Sequence, residues 1–192
     1  MVITLLRLLL SCILISATYS RGIQGQKAPI FEVEHWVDKH GKPLSKKPKI
    51  KDYEGKMLYI YCWQYWCPGC RTQGFPTLKK LYKKYGKNEN IEFLAIQTTF
   101  EGNHVNTLDK VPEIITKYDL QFPVGHTQAQ PGEEIPYFMY NYRTGGTPWG
   151  ILIGPDQTVL INDYELEYDR VESLLDEYIT DLEDESKDAT TE

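Results

Sequence analysis

The 192-residue chain predicts an α/β fold, a mixed central sheet flanked by helices on both faces and closed by a C-terminal hairpin and helix. Three observations carry that expectation. MLYIYCW, Met57 to Trp63, is an unbroken apolar and aromatic run of strand length, suited to a strand covered on both faces. Soon after it the apolar period lengthens: Phe75, Leu78, Leu81, Tyr82 and Tyr85 recur three and four apart, opposite Lys79, Lys80, Lys83 and Lys84. That is the spacing of an amphipathic helix, with Gly86 as its stop. Near the end, WGILIG and TVLI are joined by Pro155, Asp156 and Gln157, which reads as an antiparallel hairpin.

The remaining elements follow in order. FEVEHWV, Phe31 to Val37, alternates as an edge strand does, and the proline-, glycine- and lysine-rich stretch after it is a loop. IEFLAI, Ile91 to Ile96, is the next strand, followed by a helix that starts near Val111 and Pro112 and runs to Tyr118. LQFPVGH, Leu120 to His126, predicts a short strand, and the aromatic run ending at Tyr142 is compatible with a helix. The last helix covers about Tyr168 to Leu182, with Val171, Leu174, Leu175, Tyr178 and Ile179 on one face.

The two ends differ from this body. Residues 1–20 contain one early arginine and an apolar run from Leu8 to Ala17 that is shorter than the roughly 20 residues a bilayer-spanning helix needs. They read as a secretory signal segment cut near Ser20, with lipid anchoring at Cys12 as the minor alternative. The chemistry is thus expected outside the cytoplasm: secreted, in a secretory lumen or periplasmic, with no integral membrane domain. Residues 181–192, DLEDESKDATTE, are acidic and almost free of apolar groups, so a disordered tail is expected. Residues 21–180 form one domain, with an extra N-terminal segment and an insertion around 98–142. The net charge of -6, and a single short basic cluster (KKPKIK) without interleaved aromatics, argue against a nucleic-acid surface.

The chemistry is concentrated in CWQYWCPGC, Cys62 to Cys70, which holds three of the four cysteines. Cys67 falls where a strand gives way to a helix. Unpaired N–H groups at the helix start favour a thiolate there, and a thiolate is the species that attacks a disulfide. Cys70, one helical turn on, is spaced to bond Cys67 and to resolve a mixed disulfide. Pro68 suits a first helical turn because its missing N–H has no partner there. A structural zinc site needs further ligands, and only Cys62 and four scattered histidines are available, so no metal and no cofactor are expected. Cys62, inside the strand run, reads as a buried inert thiol.

With these residues in view the chain resembles the thioredoxin superfamily, on its extracytoplasmic TlpA-like and redoxin branch, over about Glu54 to Ile179. The similarity is carried by GKMLYIYCWQYWCPGC, Pro76 and GGTPWGILIGPDQTVLI. The resemblance implies a thioredoxin-like fold and thiol-disulfide exchange on protein thiols or disulfides, with a redox partner protein. It further implies a cis bond at Thr147-Pro148 facing the disulfide, and a substrate edge formed by Trp66, Thr147, Pro148 and Trp149. A buried acid relaying the proton of the resolving cysteine is common in the family, and Glu101 is the candidate. His104 and His126 are lesser candidates for proton carriers or rim residues. Two departures stand out. Pro76 lies six residues after Cys70, where the TlpA-like pattern has five, with Gly74 marking the adjustment. Trp149 is bulkier than the usual threonine, which should narrow the binding edge.

The motif serves oxidants and reductants alike, so the direction of exchange stays open at this level. Two other functions compete. One is peroxide reduction, opposed by Gln64 at the position three before Cys67 where peroxiredoxins carry threonine. The other is an interaction or assembly module without essential redox turnover, using Trp63, Trp66, Tyr137, Phe138, Tyr140, Tyr142 and Trp149 as a binding face.

Overall fold

A computed structural model describes residues 22–164 and 168–188. The leader read in residues 1–20, with Cys12, and the last four residues lie outside the described part. Six strands form one sheet in the order β1-β4-β3-β2-β5-β6. They are β1 (His35–Val37), β2 (Met57–Trp63), β3 (Ile91–Thr99), β4 (Val124–Gln128), β5 (Trp149–Ile153) and β6 (Val159–Asp163). The pairs β2–β3 and β3–β4 are parallel, while β1, β5 and β6 pair antiparallel. The helices are α1 (Phe75–Tyr85), entered through a π-helical turn at Cys70–Gly74, then α2 (Val111–Tyr118), α3 (Tyr137–Tyr142) and α4 (Tyr168–Asp188).

Strand β2 lies between two neighbours and every one of its side chains is buried, which is why its sequence is a continuous apolar run. Its odd-numbered residues, Tyr59, Tyr61 and Trp63, meet Phe75, Leu78 and Leu81 of α1 together with residues of α2 and α4. Burying a leucine such as Leu78 stabilises the fold by about 1.5–3 kcal/mol. Leu58, Ile60 and Cys62 face the opposite layer, built by Phe138 and Tyr142 of α3 and by Ile23, Val33, Trp36 and Ile50 of the N-terminal segment. The extra N-terminal segment thus completes the second face of the sheet. Helix α1 stops where Gly86 N–H bonds the Tyr82 carbonyl, and α2 stops at Asp119 with φ 54°.

Four boundaries differ from expectation. Only His35–Val37 of the first alternating run pairs, because its partner β4 offers just Val124 to His126 to that edge. Strand β4 begins after Pro123, not at Leu120, since proline has no N–H to give a ladder. Strand β3 continues through polar Gln97, Thr98 and Thr99, all buried by β4 and the loops above. The acidic end, expected as a disordered tail from 181, instead continues α4 to Asp188, with Lys187 paired to Asp184 one turn earlier. Among the described residues no helix is long and apolar enough to cross a membrane.

Candidate active site

The parallel strands β2 and β3 end on the same side of the sheet, and β5 begins there. Three connections therefore converge: Gln64–Gly69 after β2, Phe100–Asn106 after β3, and Gly145–Pro148 before β5. They enclose a cleft of about 380 Å³ with Cys67 in its wall.

Cys67 and Cys70 are joined as a disulfide, with their Cα atoms 5.3 Å apart. Cys67 is 6% exposed at the cleft, whereas Cys70 is 0% exposed beneath it. That difference decides which sulfur an incoming group meets first. Cys70 N–H donates to Cys67 Sγ at 3.1 Å, so the helix start aims its unpaired donor at the sulfur, as the spacing requires. Across the cleft, Thr147-Pro148 is cis, and the Thr147 carbonyl oxygen lies 3.6 Å from Cys67 Sγ. Gly69 makes this approach feasible: a Cβ there would sit 3.2 Å from Pro148 Cδ.

Trp66 forms one wall and is 44% exposed. The opposite wall is Tyr164, which had no signal in the sequence because it reaches the cleft from the end of β6. Trp149 does not face the cleft. Its register opposite Cys62 puts the indole in the other layer, where its N–H donates to Asn162 Oδ1 at 2.6 Å. It sits under Gly145 and against Tyr164, so its bulk supports the edge from below and does not narrow it.

Glu101 lines the cleft at its exposed rim and is not a buried acid beside Cys70. His104 is exposed in the same loop, while His126 is buried in β4 with Nδ1 2.7 Å from Gln97 Oε1, away from the rim. Burial pushes the His126 pKa down to about 4, aided by the neighbouring His35. Cys62 is fully buried in the opposite layer, and burial pushes its thiol up, far from thiolate. Among the described residues no three His, Cys, Asp or Glu side chains converge on a point that could hold a metal ion.

A residue the sequence did not single out ties the loop after β2 to the loop after β3. Asn106 is fully buried; its Oδ1 accepts the Tyr65 N–H at 2.6 Å, and its Nδ2 donates to the carbonyls of Glu101 and Gly102 at 2.9 and 3.2 Å. Thr99 Oγ1 donates in turn to the Asn106 carbonyl.

This arrangement has known relatives. The AhpC/TSA family matches residues 24–159. Thiol-disulfide oxidoreductase ResA of Bacillus thuringiensis subsp. konkukian and that of Bacillus cereus are each 30% identical over 155 residues, which is 81% of this chain and 76% of theirs. Among solved structures, a thioredoxin-like superfamily protein is 25% identical with a TM-score of 0.68, over 81% of this chain and 95% of its own. A thiol-disulfide isomerase from Corynebacterium glutamicum is 26% identical with a TM-score of 0.62, over 77% and 93%.

Proposed function

The chain belongs to the AhpC/TSA family as a TlpA-like thiol-disulfide oxidoreductase with a thioredoxin-like fold, and from that premise we propose that it exchanges disulfides with protein substrates through Cys67 and Cys70. The observation that carries this reading is the asymmetry of the pair: one sulfur at the cleft with an N–H aimed at it, the other covered. The reduced Cys67 thiolate attacks a substrate disulfide and releases one substrate sulfur as thiolate. Cys70, after giving up its proton, attacks Cys67 Sγ and displaces the second substrate thiolate. Two electrons pass to the substrate, and the Cys67–Cys70 bond is left behind. The reverse reaction uses the same atoms, so the redox partner's potential sets the direction.

Trp66 and Tyr164 flank an extended substrate segment, and Thr147 beside cis Pro148 offers it backbone partners. Glu101, at the rim of the same cleft, offers a carboxylate on the Cys67 side of the pair. No metal or organic cofactor enters this scheme. The apolar leader read in residues 1–20 supports placing the chemistry outside the cytoplasm. Peroxide reduction is less well supported, because position 64 carries Gln where peroxiredoxins carry threonine, with its Nε2 donating to the Thr98 carbonyl at 3.1 Å.

The test is covalent capture. A Cys70→Ser protein mixed with extracytoplasmic extract is expected to accumulate partners through Cys67 that dissolve on reduction, whereas Cys67→Ser accumulates none. Absence of any captured partner, or full cellular activity after both cysteines are replaced, contradicts the proposal and favours a binding module. Consumption of hydrogen peroxide by the reduced protein, lost in Cys67→Ser, favours the peroxidase.

A further inference from the structure

The helix after Cys67 leaves α geometry in one place, and that place holds Cys70. From Cys70 to Gly74 it is a π-helical turn, closed by the Phe75 N–H on the Cys70 carbonyl. The extra residue between Cys70 and Pro76 is taken up here, as a bulge that lets α1 resume its usual contacts. A second donor reaches the same carbonyl: Tyr61 Oη, from β2, at 3.2 Å. Room for it exists because residue 74 is glycine. A Cβ at Gly74 would overlap the Tyr61 hydroxyl oxygen and lie 2.6 Å from Cζ. The Tyr61 ring is held edge-on to Phe75, 5.1 Å between centroids. Tyr61 and Cys70 are both fully buried, so no water competes for the bond. Burial raises the Tyr61 pKa well above its ordinary value, which keeps the phenol a donor.

We infer that Tyr61 is a positioning residue for the redox pair: by bonding the Cys70 carbonyl through the gap left at Gly74, it fixes the π-turn so that Cys70 N–H points at Cys67 Sγ. This rests on the reading of Cys67 and Cys70 as the exchanging pair. Phe75 N–H holds the turn from the helix side, and the phenol holds it from the fully buried strand β2. Without that second anchor the Cys70–Arg71 peptide is free to rotate about the Cys70 Cα, the Cys70 backbone shifts with it, its N–H drifts from the sulfur, and the thiolate at Cys67 is less favoured.

The experiment uses the whole protein with Tyr61→Phe, which keeps the ring and removes the donor, and Gly74→Ala, which pushes the phenol away. Three quantities are read: the pH dependence of iodoacetamide alkylation at Cys67, the equilibrium of the pair with glutathione, and thermal unfolding. Tyr61→Phe is expected to raise the alkylation midpoint, so that below it Cys67 reacts about threefold more slowly, the scale of one weakened hydrogen bond. The glutathione equilibrium should move by the same factor toward the disulfide, about 14 mV at 29.6 mV per tenfold. Gly74→Ala should shift both the same way, and the double variant should shift no further, because one contact is lost in each. Lower stability in Tyr61→Phe with midpoint and equilibrium unchanged overturns the inference. An ordinary alkylation midpoint in the unaltered protein overturns instead the reading of the pair on which it rests.

Discussion

Replacing Asn106 with alanine should loosen the cleft without touching a sulfur. The side chain makes three hydrogen bonds, one from the Tyr65 N–H and two to the carbonyls of Glu101 and Gly102. Each is worth about 1 kcal/mol net, and a buried group left without a partner costs about 1–3 kcal/mol. Tyr65 and Gly102 are only half-buried, so water can reach part of what is freed, and the loss should total about 2–4 kcal/mol. Tyr65 precedes Trp66 and Glu101 lines the cleft, so the loops after β2 and β3 lose their common tie. Denaturant titration should show a lower midpoint at unchanged slope. Exchange with a protein disulfide should slow by on the order of tenfold, since misplacement of a docked segment is costly. Alkylation of reduced Cys67 by a small reagent should change by less than about twofold. Asn106→Asp, which keeps the acceptor for Tyr65, should fall between. A stability loss below about 1 kcal/mol, or alkylation falling in step with protein exchange, would refute the reasoning.

His126 makes stability fall in mild acid. Its folded pKa, pushed down to about 4, lies below its ordinary value of 6.5, so the unfolded chain takes the proton first. The contribution is complete above about pH 6.5 and is lost as pH drops toward 4, at about 1.4 kcal/mol per pH unit and about 3 kcal/mol in all. His126→Gln should flatten that part of the pH–stability curve; an unchanged curve contradicts the assignment. Cys62 should be inert: Cys62→Ala should retain full exchange activity at a cost of about 1 kcal/mol, and the native protein should resist alkylation there until unfolded. Loss of exchange activity in a folded Cys62→Ala protein would give that thiol a role denied here.

Legibility in the sequence follows the range of the interactions involved. Strand β2 was readable residue for residue because burial on both faces leaves no polar position in it. The helical spacing from Phe75 to Tyr85 and the hairpin around Pro155 were readable because their signals are local. The extent of β1 was not, since it is set by what its partner strand offers. The long α4 defeats a composition argument: Val171 and Leu175 anchor its first turns on the sheet, and the acidic turns continue from that anchor. At the site, Cys67, Cys70, Trp66 and Pro148 sit in recognisable local motifs. Tyr61, Asn106 and Tyr164 reach the site through partners 9, 41 and nearly 100 residues away along the chain, which no local pattern records. Trp149 takes the face opposite the cleft because strand alternation, not its neighbour Pro148, decides its side.

The proposed exchange turns on the acidity of the Cys67 sulfur at the cleft, and the pH dependence of Cys67 alkylation in the reduced protein measures it directly. A midpoint clearly below the ordinary thiol value of about 8.5 is predicted, with reaction confined to Cys67 in the folded molecule. A midpoint at or above that value, or a Cys67 that no reagent reaches before unfolding, would contradict the account.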